Sequence, residues 1–239
     1  MPYLGVNIDH VATVRQQRGE SYPDLVAAAL ECQRAGAHSI VAHLREDRRH
    51  IQDADIFALK KALGIKLNVE ASIDPSVLRT IRRAKPDCVT FVPERRQERT
   101  TEGGIDAVGL RRTLGRIVAD LRRRRIGVSL FIEPEDRQIL AARALEAEAV
   151  EFHTGAYANA RTAALRERLA RKVEEGVGRA RSLGLLAHVG HGLDVRNVRR
   201  IARIRGISEF NIGFSIVSRA LFTGLGPAVK EMRSLICAK

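Results

Sequence analysis

Histidines and carboxylates recur at one point in the pattern of this chain, where short apolar runs end. Gly5-Val6-Asn7-Ile8-Asp9-His10 is the first case and Ser39-Ile40-Val41-Ala42-His43-Leu44-Arg45 the second. Lys66-Leu67-Asn68-Val69-Glu70, Ala149-Val150-Glu151-Phe152-His153, Leu185-Leu186-Ala187-His188-Val189-Gly190-His191-Gly192 and Glu209-Phe210-Asn211-Ile212-Gly213 repeat it. Six of the seven histidines fall at such ends or just beyond, His38 being the exception. An imidazole titrates near neutral pH, so a histidine leaving a strand suits general acid–base work. His43 is the first candidate base. Glu70 lies on an otherwise apolar run, where a carboxylate is costly unless it is paired or used. Glu151 and His153 are one strand period of two apart and therefore share a face.

Other residue types in the same places suit anions. Arg45 carries a planar fork that grips phosphate at two points. Its neighbours Glu46-Asp47-Arg48-Arg49-His50 read equally well as a solvated loop when taken alone. Gly190-His191-Gly192 and Gly213-Phe214-Ser215 allow a backbone to approach an anion closely. Paired glycines are common in loops; their joint placement after the last two strands is where many barrels bind phosphate.

These residues work together only if the elements carrying them converge. Candidate strands are 3–8, 39–43, 66–70, 88–92, 127–132, 149–153, 185–189 and 208–212. Most read as short apolar runs, the pattern of strands buried on both faces. Helical patterns lie between them: 23–35 ending at Gly36, 56–63 ending at Gly64, and 74–84 opened by Asp74-Pro75. Further helices are expected at 106–125, 134–146, 161–183, 194–204, 215–222 and 227–236. Eight strands alternating with helices over 239 residues have the size and rhythm of an α/β chain forming a (β/α)8 TIM barrel with additional helices. A doubly wound sheet is the alternative, but it would carry a glycine-rich turn after its first strand. That turn here, Asn7-Ile8-Asp9-His10-Val11-Ala12, has no glycine. No linker or repeat interrupts the pattern, so one domain over 1–239 is expected. Three post-strand loops, 10–22, 44–53 and 93–104, are long enough to act as substrate clamps.

Composition narrows the function classes. No apolar run approaches the ~18 residues of a bilayer span. The three cysteines have no C-x-x-C spacing and their odd count argues against a disulfide framework. With no basic leader before Leu4, a cytoplasmic protein is expected. Net charge is +13, mostly from arginine runs such as Arg122-Arg123-Arg124-Arg125. Those runs lie on or beside amphipathic helices, and the 4% aromatics do not interleave with them as a nucleic-acid stacking platform requires. Nucleic acid and membrane are therefore not expected partners, whereas a positive field favours small phosphorylated substrates. A Schiff-base lysine is poorly placed: Lys66 begins a strand, and the other six lysines lie in helices, before Pro86 or in the tail. His188, His191, His10, His43, Asp9 and Glu70 contain donors a divalent ion would accept, but no H-x-H or H-E-x-x-H occurs.

Several longer strings are chemically unusual. Gly5-Val6-Asn7-Ile8-Asp9-His10-Val11-Ala12-Thr13 resembles the opening of the pyridoxine 5′-phosphate synthase family. So do His43-Leu44-Arg45-Glu46-Asp47-Arg48-Arg49-His50-Ile51, Val92-Pro93-Glu94 with Thr100-Thr101-Glu102-Gly103-Gly104, Glu151-Phe152-His153-Thr154-Gly155, Gly190-His191-Gly192-Leu193 and Asn211-Ile212-Gly213, all in one register from about residue 3 to 233. The resemblance implies a barrel assembled as a cytosolic homo-octamer. It implies condensation of 1-deoxy-D-xylulose 5-phosphate with 3-amino-2-oxopropyl phosphate to pyridoxine 5′-phosphate, inorganic phosphate and water. It implies His43 and Glu70 as proton acceptors, His191 as proton donor and Glu151 as transition-state stabiliser. By the same resemblance Asn7, Arg18, Gly192, Gly213 and Phe214 hold the aminoketone phosphate, and Asp9, His10, Arg45, His50 and Thr100 hold the deoxyxylulose phosphate. No metal or organic cofactor is implied.

Two residues depart from the family pattern. Phe214 stands where histidine is usual, and His188 where asparagine is usual. The second change is expected to place another ionisable ring beside His191. The alternative reading is a different barrel enzyme acting on a sugar phosphate, including a metal-dependent one.

Overall fold

A computed structural model describes residues 1–94 and 103–238. The chain opens with β1 (Tyr3–Asn7), α1 (Asp9–Arg18), α2 (Leu25–Arg34), β2 (Ser39–Leu44), α3 (Asp53–Ala62) and β3 (Lys66–Ala71). It continues through α4 (Pro75–Ala84), β4 (Cys88–Phe91), α5 (Arg111–Arg123), β5 (Gly127–Ile132), α6 (Asp136–Ala144) and β6 (Ala149–His153). It ends with α7 (Gly155–Ala158), α8 (Ala163–Ser182), β7 (Leu186–Gly190), α9 (Val198–Ala202), β8 (Ile207–Ile212), α10 (Phe214–Thr223) and α11 (Leu225–Cys237). The strands pair in parallel in sequence order and β8 closes onto β1, a (β/α)8 barrel. All eight expected strands are present within one or two residues of their expected bounds.

The strands alternate more strictly than their apolar look suggests. Leu4 and Val6, Ile40 and Ala42, Leu67 and Val69, Val128 and Leu130, and Phe210 and Ile212 are buried in one continuous apolar core with the helices. Burying each of the larger side chains contributes roughly 1.5–3 kcal/mol. The intervening positions, including Ser39, Asn68, Thr90, Ser129, Glu151 and Asn211, are buried and polar. They line the barrel interior together with Val41, Phe131 and Ala149, so that interior is mainly polar rather than layers of branched aliphatics.

Helices α1 and α5 differ most from expectation; α9 also begins four residues late, and α7 was not expected. The expected loop 10–22 is mostly helix: α1 runs to Arg18 and stops at Gly19, whose φ of 66° is left-handed. Its sequence is too polar to show a helical stripe; only Asp9, Val11 and Ala12 are buried, and tertiary anchoring decides the conformation. Arg15 supplies that anchor, gripping Asp55 at 2.8 and 2.7 Å and the His50 carbonyl at 3.2 Å. The helix expected from 106 begins at Arg111, after a hydrogen-bonded turn at Asp106–Leu110. Several arginines meet acids: Arg82 reaches Asp120 from α4 to α5, Arg124 reaches the same Asp120 from the end of α5, and Arg200 reaches Glu167 and Glu174 on α8. No helix among the described residues is long and apolar enough to cross a membrane.

Candidate active site

The site grows from the β2–β3 register. His43 pairs with Glu70 across the ladder, so both side chains turn to the same interior face. His43 Nδ1 lies 3.8 Å from Glu70 Oε2, and its Nε2 lies 3.8 Å from Glu94 Oε2, with no hydrogen-bond partner among the described residues. The His43 N–H donates to Asp9 Oδ1 at 2.8 Å. Asn7 completes this corner by donating from Nδ2 to Asp9 Oδ2 and accepting from the Asp9 N–H, both at 2.9 Å. Asp9 thus ties β1 to the end of β2 and fixes where the imidazole stands.

Burial sets the protonation bias. It pushes the Glu70 carboxyl well above its ordinary range, and the nearby Glu151 and Asp9 carboxylates push the same way against a hydrogen bond from Asn7. Burial also pushes Glu151 up to about 8; Asn211, donating at 2.6 Å, opposes the shift and Glu209 adds to it. Two carboxyls that resist ionising together are the arrangement in which a proton is held and released in turn. His50 is lowered by burial and by the charges of His43, Arg45 and His10, against the pull of Asp9. Its Nδ1 accepts from the Ile51 N–H at 2.9 Å, so the neutral ring keeps its proton on Nε2.

Arg45 is only 3% exposed and already engaged, with Nε 3.2 Å from Asp47 and Nη2 3.3 Å from Glu94. Glu94 also accepts from the Glu46 N–H at 3.0 Å. It therefore joins His43, Arg45 and the 44–53 loop, a role the sequence reading did not assign. Its signal was present: it follows a strand end, as the other site residues do.

The opposite side of the mouth carries the backbone cradle. A Cβ on Gly213 would meet Asn7 Cβ at 2.8 Å and the Asn7 carbonyl at 2.9 Å, so this contact between β8 and β1 admits only glycine. Phe214 begins α10; the N–H groups of a helix's first turn lack partners within the helix and are suited to an anion. The Phe214 side chain is 69% exposed and touches His10 edge-on at 5.0 Å. Gly192 has φ 78°, and a Cβ there would meet Ala158. His191 has φ 77° with no glycine's freedom, a strain of about 1–3 kcal/mol that surrounding contacts must hold. Burial, then the charge of His153, lowers His191 to about 4.

Two residues stand elsewhere than expected. The ring beside His191 is His153, with centroids 5.2 Å apart. His188 sits mid-strand instead, opposite Glu151 and Glu209, and lines a cavity of about 520 Å³ with Lys66, Glu148 and Arg181. Its Nδ1 is buried without a partner among the described residues. Arg18 is not drawn into the cluster: its side chain is 82% exposed, with Glu20 at 4.0 Å. Thr100 lies outside the described residues. Asp9, His43 and Glu70 bring possible ligand atoms within 4.8 Å of one another. Asp9 has an oxygen committed to each of two hydrogen bonds.

Fold and mouth together define a (β/α)8-barrel enzyme with its acid–base groups gathered at the carboxyl ends of the strands. Residues 4–238 match the family model described as pyridoxal phosphate biosynthesis protein PdxJ, and the chain belongs to that family. It is 48% identical over 236 residues to the pyridoxine 5′-phosphate synthase of Coxiella burnetii strain Dugway, covering 99% of this chain and 98% of that one. It is 49% identical over 230 residues to the same-named protein of Neisseria meningitidis serogroup A, covering 96% and 95%. Among solved structures, KGPDC from Streptococcus mutans superposes with a TM-score of 0.68 at 14% identity, covering 98% and 97%. The tryptophan synthase A-subunit of Pyrococcus furiosus gives 0.65 at 10% identity, covering 98% of each. At these identities the two structures share the fold alone.

Proposed function

We infer that this chain is a pyridoxine 5′-phosphate synthase, joining 1-deoxy-D-xylulose 5-phosphate to 3-amino-2-oxopropyl phosphate with loss of inorganic phosphate and two waters. The observation that carries this reading is the His43–Glu70 pair facing a second buried carboxyl, Glu151, within a barrel whose relatives bear that name. The aminoketone brings its own amine to the imine step, so no enzyme lysine is needed. Ring closure then consists of proton transfers and dehydrations, work for several acid–base groups around one cavity.

The roles follow from position and charge. Glu70 and His43 take protons from the condensing carbons. Glu151, held by Asn211, faces the charge that develops on the intermediate. His191 begins neutral, and a phosphate dianion seated at Gly192, Gly213 and the Phe214 N–H raises its affinity for the proton it later donates. Asn7 supports this aminoketone-phosphate cradle, and Arg18 joins it by swinging in from solvent. Asp9, His10, Arg45, His50 and Thr100 form the deoxyxylulose-phosphate side. The protein works as one barrel domain without a metal, in the cytoplasm, as a homo-octamer. Exposed apolar side chains on α1 and α10, Val14, Phe214, Leu221 and Phe222, supply surface for subunit contact. Expression of the chain in a bacterial strain lacking its own pyridoxine 5′-phosphate synthase should restore growth without added pyridoxine; failure despite soluble expression would count against the reading.

Two variants probe the roles. Arg45→Lys keeps the charge but loses the fork held between Asp47 and Glu94. The specificity constant for deoxyxylulose phosphate should fall at least about tenfold, roughly 1.4 kcal/mol; an unchanged value would remove Arg45 from that subsite. Glu151→Gln removes a negative charge that disfavours ionisation of Glu70. Glu70 then ionises at lower pH, so the acid limb of the kcat/KM profile should move downward. Asn211 can turn its amide to meet the new glutamine, because its Oδ1 has no partner among the described residues. An acid limb that stays in place would show that Glu70 does not govern it.

A further inference from the structure

The end of β6 meets the loop that carries His191 at two points. His153 Nδ1 lies 2.8 Å from Oε1 of Glu133, a residue just past the end of β5. The His153 ring meets His191 edge-on, with 5.2 Å between centroids and an interplanar angle of 64°. Phe131, one strand period before Glu133, lies against both rings at 5.4 and 6.3 Å. The second point is Thr154, which is wholly buried. Its hydroxyl proton is shared between the carbonyls of Gly190 and His191, each 2.6 Å from Oγ1. Its N–H donates to the Gly190 carbonyl at 2.9 Å.

We propose that Glu133, His153 and Thr154 are positioning residues for His191. Thr154 clamps the left-handed backbone of His191, and the Glu133–His153 pair fixes the flank on which its ring rests. The proposal rests on the reading of His191 as the proton donor and deepens it. A donor must stand within hydrogen-bond reach of its target, and a misplacement of about 1 Å can cost on the order of a hundredfold. His191 sits between two glycines, which by themselves leave its direction free. Ordered neighbours must supply what the loop lacks.

Charge at this corner agrees with the geometry. The hydrogen bond from His153 holds Glu133 below the ordinary carboxylate range, against its burial, so Glu133 is an anion at neutral pH. After burial, the His153 ring is the second cause that lowers His191. Among the described residues, the titratable groups facing His191 are His153 and, behind it, Glu133; Glu151 packs against Gly190 at the start of the loop, while Phe131 and Ala158 are apolar.

The test combines steady-state kinetics with NMR titration of histidine-labelled full-length enzyme in its resting state. Thr154→Val should lower kcat at least about tenfold, with KM for both substrates within about threefold. Thr154→Ser keeps the hydroxyl and should restore most of the rate. His153→Gln removes the neighbouring imidazole that lowers His191, so the His191 titration midpoint should rise by roughly half a pH unit or more. Glu133→Gln, at a side chain 35% exposed and so tolerant of substitution, removes the anion behind His153 and should lower the midpoint; it serves if Thr154→Val does not fold. Wild-type kcat in Thr154→Val with an unmoved His191 midpoint in His153→Gln and Glu133→Gln would overturn the proposal. His191→Asn separates the two levels. Its inactivity leaves the proton-donor reading standing whatever the other variants do, and its full activity would end that reading while the NMR titration still decides whether these neighbours control the His191 ring.

Discussion

Glu70→Gln and His43→Asn are each expected to lower turnover by about two to four orders of magnitude, the usual contribution of a positioned acid or base. Both changes are near-isosteric, so what is lost is proton chemistry. Glutamine keeps the Glu70 shape and its hydrogen bond with Asn7 but cannot take a proton. It also removes a buried carboxyl that burial and two neighbouring acids already disfavour in its charged form. Glu70→Gln should therefore fold at least as stably as the wild type above pH 5 while losing its rate, a combination a merely structural residue does not produce. By linkage, a carboxyl whose folded pKa is raised stabilises the fold fully below its unfolded value, and that contribution is lost as pH rises. His43→Asn keeps the backbone donation to Asp9 and loses the ring between Glu70 and Glu94. Single-turnover rates and thermal melts at several pH values check both variants. Full activity in either would remove that residue from the mechanism.

Gly213→Val is expected to be nearly as damaging, by a different route. The Asn7 backbone and side chain occupy the space a side chain at 213 would need. β1 and β8 would have to separate, carrying the Phe214 N–H away from the anion and disturbing the Asn7–Asp9 corner. Loss of aminoketone-phosphate affinity should reach at least about a hundredfold, since several charge-assisted hydrogen bonds of roughly 1.5–3 kcal/mol each move together. Phe214→His is the counterpart. It restores the side chain usual in the family at a position where the existing one points largely to solvent, so affinity should change by no more than about tenfold. A hundredfold gain in Phe214→His, or normal binding in Gly213→Val, would mean that phosphate is held elsewhere.

Most of the site was readable because the barrel imposes a simple rule: polar residues at strand ends converge. Asn7, His43, Glu70 and Glu151 needed only that rule and the strand period. The residues that escaped depend on closure of the barrel. Glu94 and Glu133 follow strand ends too, but nothing local tells that one reaches Arg45 and the other His153. His188 looked like a neighbour of His191 because they are three apart in sequence. On a strand that separation spans nearly 10 Å and turns the side chains to different surroundings. The helix α1 escaped because its stability lies in the Arg15–Asp55 pair, forty residues apart, and not in its own periodicity. The polar interior escaped for a related reason: alternation seen in isolation does not say which face closes on itself.

The central claim is tested most directly by incubating the purified protein with 1-deoxy-D-xylulose 5-phosphate and 3-amino-2-oxopropyl phosphate. Pyridoxine 5′-phosphate and inorganic phosphate are then measured together, with and without a chelator. Formation of both in equal amounts, insensitive to the chelator and absent when either substrate is left out, is the predicted result. Phosphate release without the pyridoxine product, or activity abolished by the chelator and restored by a divalent ion, would contradict the account.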